Sequence, residues 1–250
     1  MLSKAKIKDI RALGIKKFRD EQGLFVAEGD KIVTYMLPSF ECEWLVASAQ
    51  WGEGVKGGEG VKAKELIIAN EDELRKVGFL KTPPEVLAVF RKPHYMIDEA
   101  NPASQLILAL DGIQDPGNLG TIIRLAEWFG IEHIVCSPDT ADAFSPKTVQ
   151  ATMGALAHVK VHYTNLAEYI LKNNASPVYG TFLSGENIYQ CDLSQKGIIV
   201  MGNEGKGIRP EIEALVNKRL YIPSYPSNRK TTGSLNVATA TAIVCAQFRR

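Results

Sequence analysis

The stretch LILALDGIQDPGNLGTIIRLAEWFG, residues 106–130, decides the fold class of this chain. It starts with an apolar run of strand length, passes through a turn at Pro116 and Gly117, and continues with apolar residues at helical spacing that include Ile122 and Ala126. The glycine that closes the stretch suits the end of a helix. Strand, glycine-containing turn and helix in this order predict a parallel α/β domain.

Four more apolar runs occur later in the chain, HIVC, VYGTF, IIVMG and LYIP. Their residues are apolar throughout rather than at alternate positions, which is typical of strands covered on both faces of a parallel sheet. In such sheets the ligand lies at the carboxyl ends of the strands. The turns that leave these strands are therefore the predicted place for chemistry.

The first part of the chain has shorter and more mixed elements: a basic helical start, a helix at DKIVTYML, and strands at GLFVA, EWLVAS, ELIIA and VLAVF. The glycine-rich segment WGEGVKGGEGVK, residues 51–62, predicts a mobile connection. A polar, proline-containing stretch at residues 92–104 separates the two parts. We therefore predict a small α/β domain over residues 1–95 and a parallel-sheet domain over residues 104–250.

Charge is nearly balanced, with a net charge of +1, so a nucleic-acid partner would need positive charge gathered locally. The first twenty positions offer such a cluster, because seven basic residues there stand against two acidic ones. The alternative is a solvated helix face. The basic residues are Lys4, Lys6, Lys8, Arg11, Lys16, Lys17 and Arg19.

The four cysteines, Cys42, Cys136, Cys191 and Cys245, form no CxxC pair, which argues against a zinc ribbon and against a disulfide scaffold. The N-terminus has no apolar core of a signal peptide, and no apolar run approaches the length of a membrane span. We expect a soluble, cytoplasmic protein with reduced thiols, no membrane partner and no bound metal.

Three turns after strands carry polar groups. In the first, DPGNLG, Asn118 suits a helix cap, and Arg124 further on suits a solvated side chain off the apolar face. In the second, MGNEGKGI, three glycines allow a ligand close to the backbone and supply amide donors around Glu204. In the third, Ser234 or Asn236 suits the cap of a helix of small residues. Glycine with polar residues at three strand ends of one domain favours a shared function over three unrelated turns.

A nucleotide-dependent oxidoreductase on a doubly wound sheet is one alternative. It would require GxGxxG after a strand and an acidic residue for the ribose at the end of the next strand. Neither is visible in this sequence.

The three turns resemble the motifs of the SpoU (TrmH) family of RNA 2'-O-ribose methyltransferases in the SPOUT superfamily. The motifs occur in order as LDGIQDPGNLGTIIRLAEWFGIEHIV (110–135), IIVMGNEGKGI (198–208) and LYIPSYPSNRKTTGSLNVATATAI (220–243). The resemblance covers residues 105–250, and RDEQGLFVAEGDKIVTYML (19–37) is similar to the start of the family's L30-like substrate-binding domain. It implies a parallel α/β domain with a deep trefoil knot, S-adenosyl-L-methionine bound in a bent form in that knot, an rRNA or tRNA substrate, and a homodimer.

Carried over residue by residue, the resemblance implies catalytic roles for Asn118, Arg124, Glu204, Ser234 and Asn236. Arginine stays protonated at neutral pH and does not readily act as a base. Our hypothesis is that Arg124 grips the RNA phosphate next to the target ribose and stabilises the developing alkoxide. Asn118 and Ser234 would orient the phosphate and the hydroxyl, Asn236 would hold the motif loops, and Glu204 would fix backbone or Arg124.

The resemblance also implies cofactor contacts, mostly through backbone atoms, at Gly202, Ile222 and Leu235, with Thr181 or its neighbours as a further candidate. No histidine lies in the three motifs, and the four histidines are expected to be surface or core residues. They are His94, His133, His158 and His162.

Two positions depart from the family pattern. Gln150 and Thr152 stand where an arginine and a serine are common, which weakens the case for an RNA contact there. Arg229 and Lys230 make the loop of the third motif more basic than usual. A second alternative, a catalytically silent RNA-binding protein of the same fold, would require a broken motif, yet all five implied catalytic residues are present.

Overall fold

The computed structural model describes residues 2–56, 62–226 and 233–250. Contacts divide the chain into two compact units, Met1–His94 with Asp142–Ala157, and Tyr95–Ala141 with His158–Arg250. The segment Asp142–Ala157 belongs to the first unit, although it lies within the predicted second domain, 104–250. The predicted limits, 1–95 and 104–250, do not include this segment in the first domain. As the limits of separate domains they stay a prediction.

The first unit contains a four-stranded mixed sheet in the order β1-β4-β2-β3, in which only β2 and β3 are parallel. A small α/β unit was predicted here, and all four predicted strands are present. Its strands are β1 (Leu24–Glu28), β2 (Cys42–Ala47), β3 (Ala63–Ile68) and β4 (Val86–Arg91). Its helices are α1 (Lys4–Ala12), α2 (Lys16–Gln22), α3 (Asp30–Met36), α4 (Ala49–Lys56), α5 (Glu71–Val77) and α7 (Pro146–Thr152).

An aromatic cluster forms one part of the core of this unit. The ring of Phe25 on β1 lies with its centroid 5.3 Å from Phe40, 5.6 Å from Phe90 and 4.8 Å from Phe144. These separations are those of favourable edge-on and tilted aromatic pairs. Because Phe144 belongs to the segment 142–157, that segment completes the core of the first unit.

An ion pair also fixes this segment. Arg19 on α2 is only 2% exposed, and its Nε and Nη2 donate to Asp142 Oδ2 at 3.0 and 2.7 Å. Its Nη1 donates to the carbonyl oxygen of Leu13. Arg19 is therefore a structural residue, and its inclusion in an exposed cationic cluster was wrong.

The glycine-rich segment 51–62 is not a loop throughout. Its first six residues belong to α4, where Trp51 is buried and its Nε1 donates to Asp30 Oδ1 at 2.6 Å. The buried Trp51 attaches α4 to the rest of the unit, and the glycine-rich composition of the segment gave no sign of this contact. The predicted connection was therefore wrong for residues 51–56, and residues 57–61 lie outside the described part of the chain.

The second unit contains a seven-stranded sheet in the order β7-β6-β5-β10-β8-β11-β9, and every neighbouring pair is parallel. The predicted parallel α/β fold is confirmed. The strands are β5 (Leu106–Asp111), β6 (His133–Cys136), β7 (Lys160–Tyr163), β8 (Val178–Phe182), β9 (Glu186–Asn187), β10 (Gly197–Gly202) and β11 (Lys218–Tyr221). The helices are α6 (Pro116–Trp128), α8 (Leu166–Lys172), α9 (Pro210–Glu213) and α10 (Val237–Phe248).

The order of the strands locates the site. From β5 the chain adds β6 and β7 on one side, whereas β10, β8 and β11 lie on the other. The order therefore reverses between β5 and β10, and ligands of open parallel sheets bind at the carboxyl ends of the strands beside such a reversal. None of the helices in the described part of the chain combines the length and apolar character of a membrane span.

Candidate functional site

The N-terminus of α6 begins differently from the prediction. Asp115 is the N-cap, and its Oδ1 accepts from the backbone N–H of Asn118 at 2.8 Å. Pro116 and Gly117 are the first two helical residues, so the predicted turn at these positions and the predicted cap at Asn118 were both wrong. Proline suits the first helical position because its missing N–H would be unpaired there anyway. Since Asp115 caps the helix, the side chain of Asn118 is available for other contacts.

Asn118 joins the other two motifs through its side chain. Its Nδ2 donates to Glu204 Oε1 at 2.7 Å, and its Oδ1 accepts from Nδ2 of Asn236 at 3.0 Å. Of the two predicted caps of α10, Ser234 and Asn236, the N-cap is Asn236, because its Oδ1 accepts from the backbone N–H groups of Ala238 and Thr239. The three motifs therefore meet in one hydrogen-bonded chain, Asn236 to Asn118 to Glu204.

The direction of this chain follows from the cap. Because Oδ1 of Asn236 faces two backbone N–H groups, only its Nδ2 can donate to Asn118. Asn118 must then present Oδ1 to Asn236 and Nδ2 to Glu204. The carboxylate of Glu204, which can only accept when ionised, ends the chain. The arrangement holds two amides and one carboxylate in single orientations at the surface.

The loop that carries Glu204 is held internally by Asn203. Oδ1 of Asn203 accepts from the backbone N–H groups of Gly205 and Lys206, and Asn203 and Gly207 exchange two backbone hydrogen bonds. The prediction that the glycine amides point at a ligand was therefore wrong for Gly205 and Gly207. A Cβ on Gly202 would lie 2.4 Å from the backbone of Gly207 and Ile208, so this glycine is required for closing the loop.

A buried carboxylate lies beside this loop. Asp111, the last residue of β5, has a fully buried side chain, and Arg209 donates to it from its backbone N and from its guanidinium. The hydrogen bond to Asp111 raises the pKa of Arg209. Neither residue was predicted from the sequence, although a single aspartate closing an apolar strand requires a partner.

Arg124 and Ser234 stand apart from these contacts. Arg124 lies on the exposed side of α6, six residues after Asn118, or about 9 Å along the helix axis. Over residues 2–56, 62–226 and 233–250, the side chains of Arg124 and Ser234 have no hydrogen bond or ion pair. The structure therefore unites three of the five implied catalytic residues, and the predicted roles of all five stay predictions.

The four residues predicted to hold the cofactor follow the same sheet edge. Gly202 ends β10, Thr181 is the last residue but one of β8, and Ile222 directly follows β11. These strands are neighbours, and parallel strands have their carboxyl ends at one edge. All three residues are partly exposed, and Leu235, just before α10, is 50% exposed.

The positions that depart from the family pattern have different outcomes. Thr152 is buried and its Oγ1 donates to the carbonyl oxygen of Val149 at 2.7 Å, so it has a structural role, whereas Gln150 is partly exposed. Arg229 and Lys230 lie outside the described residues.

Of the histidines, His133 and His162 are buried core residues, as expected. In the described part of the chain, no group of three or more His, Cys, Asp or Glu side chains could hold a metal ion.

Comparison with known proteins identifies the larger unit. The profile of the SpoU rRNA Methylase family matches residues 105–246. The chain belongs to this family. The profile of the MRM3-like substrate binding domain matches residues 4–88. The predicted SpoU family is therefore confirmed.

Individual relatives match over nearly the full length. The chain is 33% identical to the 23S rRNA (guanosine(2553)-2'-O)-methyltransferase RlmP of Bacillus subtilis over 98% of this chain and 96% of the relative. It is 39% identical to a TrmH-family protein of Porphyromonas gingivalis, with a TM-score of 0.88 and coverage of 100% and 98%. An AdoMet-bound rRNA methyltransferase of Sinorhizobium meliloti is 31% identical, with a TM-score of 0.86 and coverage of 100% and 95%.

The sheet edge at β10, β8 and β11 fits S-adenosylmethionine. Ile222 is partly exposed and Leu235 is 50% exposed, so this edge presents apolar surface of the kind that lines small-molecule sites. The strand ends beside them present backbone groups that can bind the polar atoms of a ligand. Glu204 follows Gly202 by two positions, so the residues predicted to hold the cofactor and the hydrogen-bonded chain occupy one continuous edge of the sheet.

Proposed function

We propose that Asn236, Asn118, Glu204 and Arg124 form the RNA side of a site that transfers a methyl group to a ribose 2'-hydroxyl of large-subunit ribosomal RNA. The activity itself, S-adenosylmethionine-dependent 2'-O-methylation of RNA, is that of the family to which the chain belongs, and the predicted enzyme class and cofactor are confirmed at this level. The large-subunit substrate is proposed because a relative that the chain matches over 98% of its length is named for 23S rRNA.

The observation that carries the proposal is the directed chain from Asn236 to Glu204. It joins residues that are 86 and 118 positions apart from Asn118 in sequence, one from each motif, at the carboxyl edge of the sheet. Helix caps alone would not require this chain, because Asp115 and Asn236 already cap α6 and α10. Fixed polar groups lower the cost of aligning a reacting hydroxyl because their orientation is set before the substrate binds.

The chemistry assigns different tasks to the residues. S-adenosylmethionine supplies the electrophilic methyl group when it is bound. It would give that group to the 2'-oxygen and leave as its neutral thioether, while the hydroxyl proton would be lost to water beside the neighbouring RNA phosphate. Arg124 holds that phosphate through its two-pronged guanidinium and stabilises the charge on the 2'-oxygen. Asn118 and Ser234 orient the hydroxyl and the phosphate, while Glu204 and Asn236 fix Asn118.

The RNA also contacts the first unit in this proposal. Lys4 and Lys8 are exposed one turn apart on α1, so they form a cationic stripe about 6 Å long, whereas the guanidinium of Arg11 donates to the carbonyl oxygen of Gly78 and lies over the ring of Phe79. Lys6 is less available, since its Nζ pairs with Glu65 at 2.7 Å. Phosphate contacts from such a stripe add affinity without reading sequence.

The protein acts as a homodimer in the cytoplasm in this proposal. Trp128 on α6 is 82% exposed, and α10, which packs against α6, presents the partly exposed Ala242 and Ile243. A large exposed aromatic residue beside a helix with apolar residues on several sides supports a second copy as its cover. Arg124 lies one turn before Trp128 on the same face of α6, so an interface there would bring Arg124 next to the partner subunit.

The decisive experiment is incubation of the full chain with labelled S-adenosylmethionine and separated rRNA and tRNA, followed by mapping of 2'-O-methyl positions. We expect label at one position of large-subunit rRNA. Label on tRNA alone would contradict the proposed substrate. Cofactor binding by calorimetry without label on any RNA would favour the silent RNA-binding alternative.

A further inference from the structure

Asp111 and Arg209 form a clamp whose donors all belong to one residue. The backbone N–H, Nε and Nη2 of Arg209 donate to the two oxygens of Asp111 at 2.7, 2.7 and 2.5 Å. The side chain of Asp111 is completely buried, whereas that of Arg209 is 39% exposed. Such a carboxylate is stable in the folded protein only while this partner remains in place.

The clamp closes one end of the loop that carries Glu204. This loop, residues 203–208, leaves β10 directly after Gly202, which is paired with Asp111 in the sheet, and it ends at Arg209. At its start, Nδ2 of Asn203 donates to the carbonyl oxygen of Gly112 at 2.7 Å. Both ends of the loop are therefore attached to adjacent residues at the end of β5.

This attachment determines where Glu204 can lie. Glu204 belongs to no helix or strand, because it lies between the end of β10 and the start of α9. Oδ1 of Asn203 accepts from the amides inside the loop, so the loop is internally fixed and its position depends on its two attachments to the end of β5. Asn118 belongs to α6, the next element after β5, and a shift of the loop would lengthen the 2.7 Å contact between Glu204 and Asn118. Misplacement by about 1 Å is enough to lower a rate by about 10².

We propose that Arg209, through Asp111, is a positioning residue for methyl transfer, which fixes the Glu204 loop against β5 and so fixes Asn118. The inference rests on the proposed function of Glu204 and Asn118. Arg209 touches neither the RNA nor the cofactor in this assignment. Its effect on the rate passes entirely through Glu204.

A double-mutant cycle tests this dependence. Arg209→Lys keeps the positive charge but loses the planar fork that matches Asp111. We expect kcat to fall about tenfold, with KM and Kd for S-adenosylmethionine changed less than about threefold. In a Glu204→Ala background the same substitution should change kcat by less than about twofold, because its path to the reaction is already removed.

The control is Arg91→Lys, a residue of the first unit that pairs with Glu41 and Glu43. It should leave kcat unchanged in both backgrounds. Thermal unfolding of every variant is measured first, and Asp111→Asn, which weakens the clamp without leaving a buried unpaired charge, replaces Arg209→Lys in the cycle if that variant is unfolded.

The outcomes distinguish the positioning role of Arg209 from the proposed function. A full tenfold loss from Arg209→Lys in the Glu204→Ala background overturns the positioning role and leaves the proposed function intact. Wild-type kcat in Arg209→Lys overturns the positioning role as well. Wild-type kcat in Glu204→Ala alone overturns the proposed role of Glu204 and, with it, the clamp's route to the reaction.

Discussion

The two polar sides of the site differ in how completely the protein builds them. Glu204, Asn118 and Asn236 are joined by hydrogen bonds of 2.7 and 3.0 Å and have fixed directions. Arg124 lies exposed on α6 with no hydrogen bond or ion pair from the described residues. Short amides and a carboxylate can be oriented before the substrate binds, whereas an exposed guanidinium gains its geometry only from an anionic partner. We infer that the protein supplies the first side and the RNA completes the second.

The largest expected effect comes from removing the side that the RNA completes. Arg124→Ala should lower kcat by about 10² to 10³, because it removes a charge that matters most as the 2'-oxygen becomes negative. The Kd for S-adenosylmethionine should stay within about threefold of the wild-type value, since the predicted cofactor residues lie on other elements. Single-turnover methylation and calorimetry measure the two quantities.

Arg124→Lys is the matched variant, because it keeps the charge and loses bidentate geometry. It should recover only part of the rate. Near-normal single-turnover methylation by Arg124→Ala would contradict the role given to Arg124.

The built side can be broken without removing a helix cap. In Asn236→Asp the remaining side-chain oxygens can still accept from the N–H groups of Ala238 and Thr239, but the donor to Asn118 is lost. We expect kcat to fall about tenfold, with a melting temperature close to that of the wild type.

Asn236→Ala provides the comparison, because it loses both the cap and the donor. It should show a similar loss of kcat together with about 1 kcal/mol lower stability. If Asn236→Asp keeps full activity while Asn236→Ala loses it, the hydrogen bond to Asn118 is irrelevant and only the cap matters.

The sequence predicted the parts of the fold whose physical signal is local. The central strands were predictable because β5, β6 and β10 are buried along nearly their whole length and so are apolar throughout. Strand β7, with His162, was missed because its polar residues hide its burial, and β9 was missed because it has two residues. The fold class therefore came from the middle of the sheet rather than from its edges.

The site was predictable only as a set of residues. The contact from Asn118 to Glu204 spans 86 positions, and spacing alone gives no reason to pair them. Asp111 did carry a signal, since a carboxylate at the end of a buried strand needs a cation, but the chain has 29 lysines and arginines among which sequence cannot choose. Arg209 could be identified as the partner only from the structure, in which Asp111 pairs with Gly202 and the loop after Gly202 brings Arg209 back to Asp111.

A buried histidine pair outside the site makes the stability of the fold depend on pH. His133 Nδ1 and His162 Nε2 lie 3.0 Å apart in stacked, buried rings, so the pair tolerates one shared proton at that contact. Burial lowers the pKa of His162 to about 4, and the charges of His133 and Lys160 act in the same direction while Glu99 opposes them. Burial also lowers the pKa of His133.

The folded protein disfavours protonation of His162, whereas the unfolded chain protonates it near pH 6.5. The stability contributed by the neutral imidazole is therefore fully present above a pH of about 6.5 and is lost as the pH falls toward about 4. Between pH 7 and pH 5, His162 should account for about 2 kcal/mol of lost stability. His162→Gln should remove that part of the pH dependence in urea unfolding, whereas His158→Gln, at an exposed histidine, should not. Equal pH dependence in wild type and His162→Gln would show that this pair does not couple folding to pH.

The smallest expected effect concerns phosphates that the reaction does not use. Lys4→Ala combined with Lys8→Ala should weaken RNA binding by about three- to tenfold and reduce the salt dependence of log K by about 1.5, because two counterion-releasing contacts are lost. The kcat at saturating RNA should not change. The control is Lys172→Ala, which removes an exposed ion pair between Lys172 and Asp98, both in the second unit. It should alter neither the RNA affinity nor kcat. If the lysine variant instead lowers kcat at saturating RNA, phosphate contacts on the first unit position the target ribose, and the division between binding by α1 and alignment by α6 does not hold.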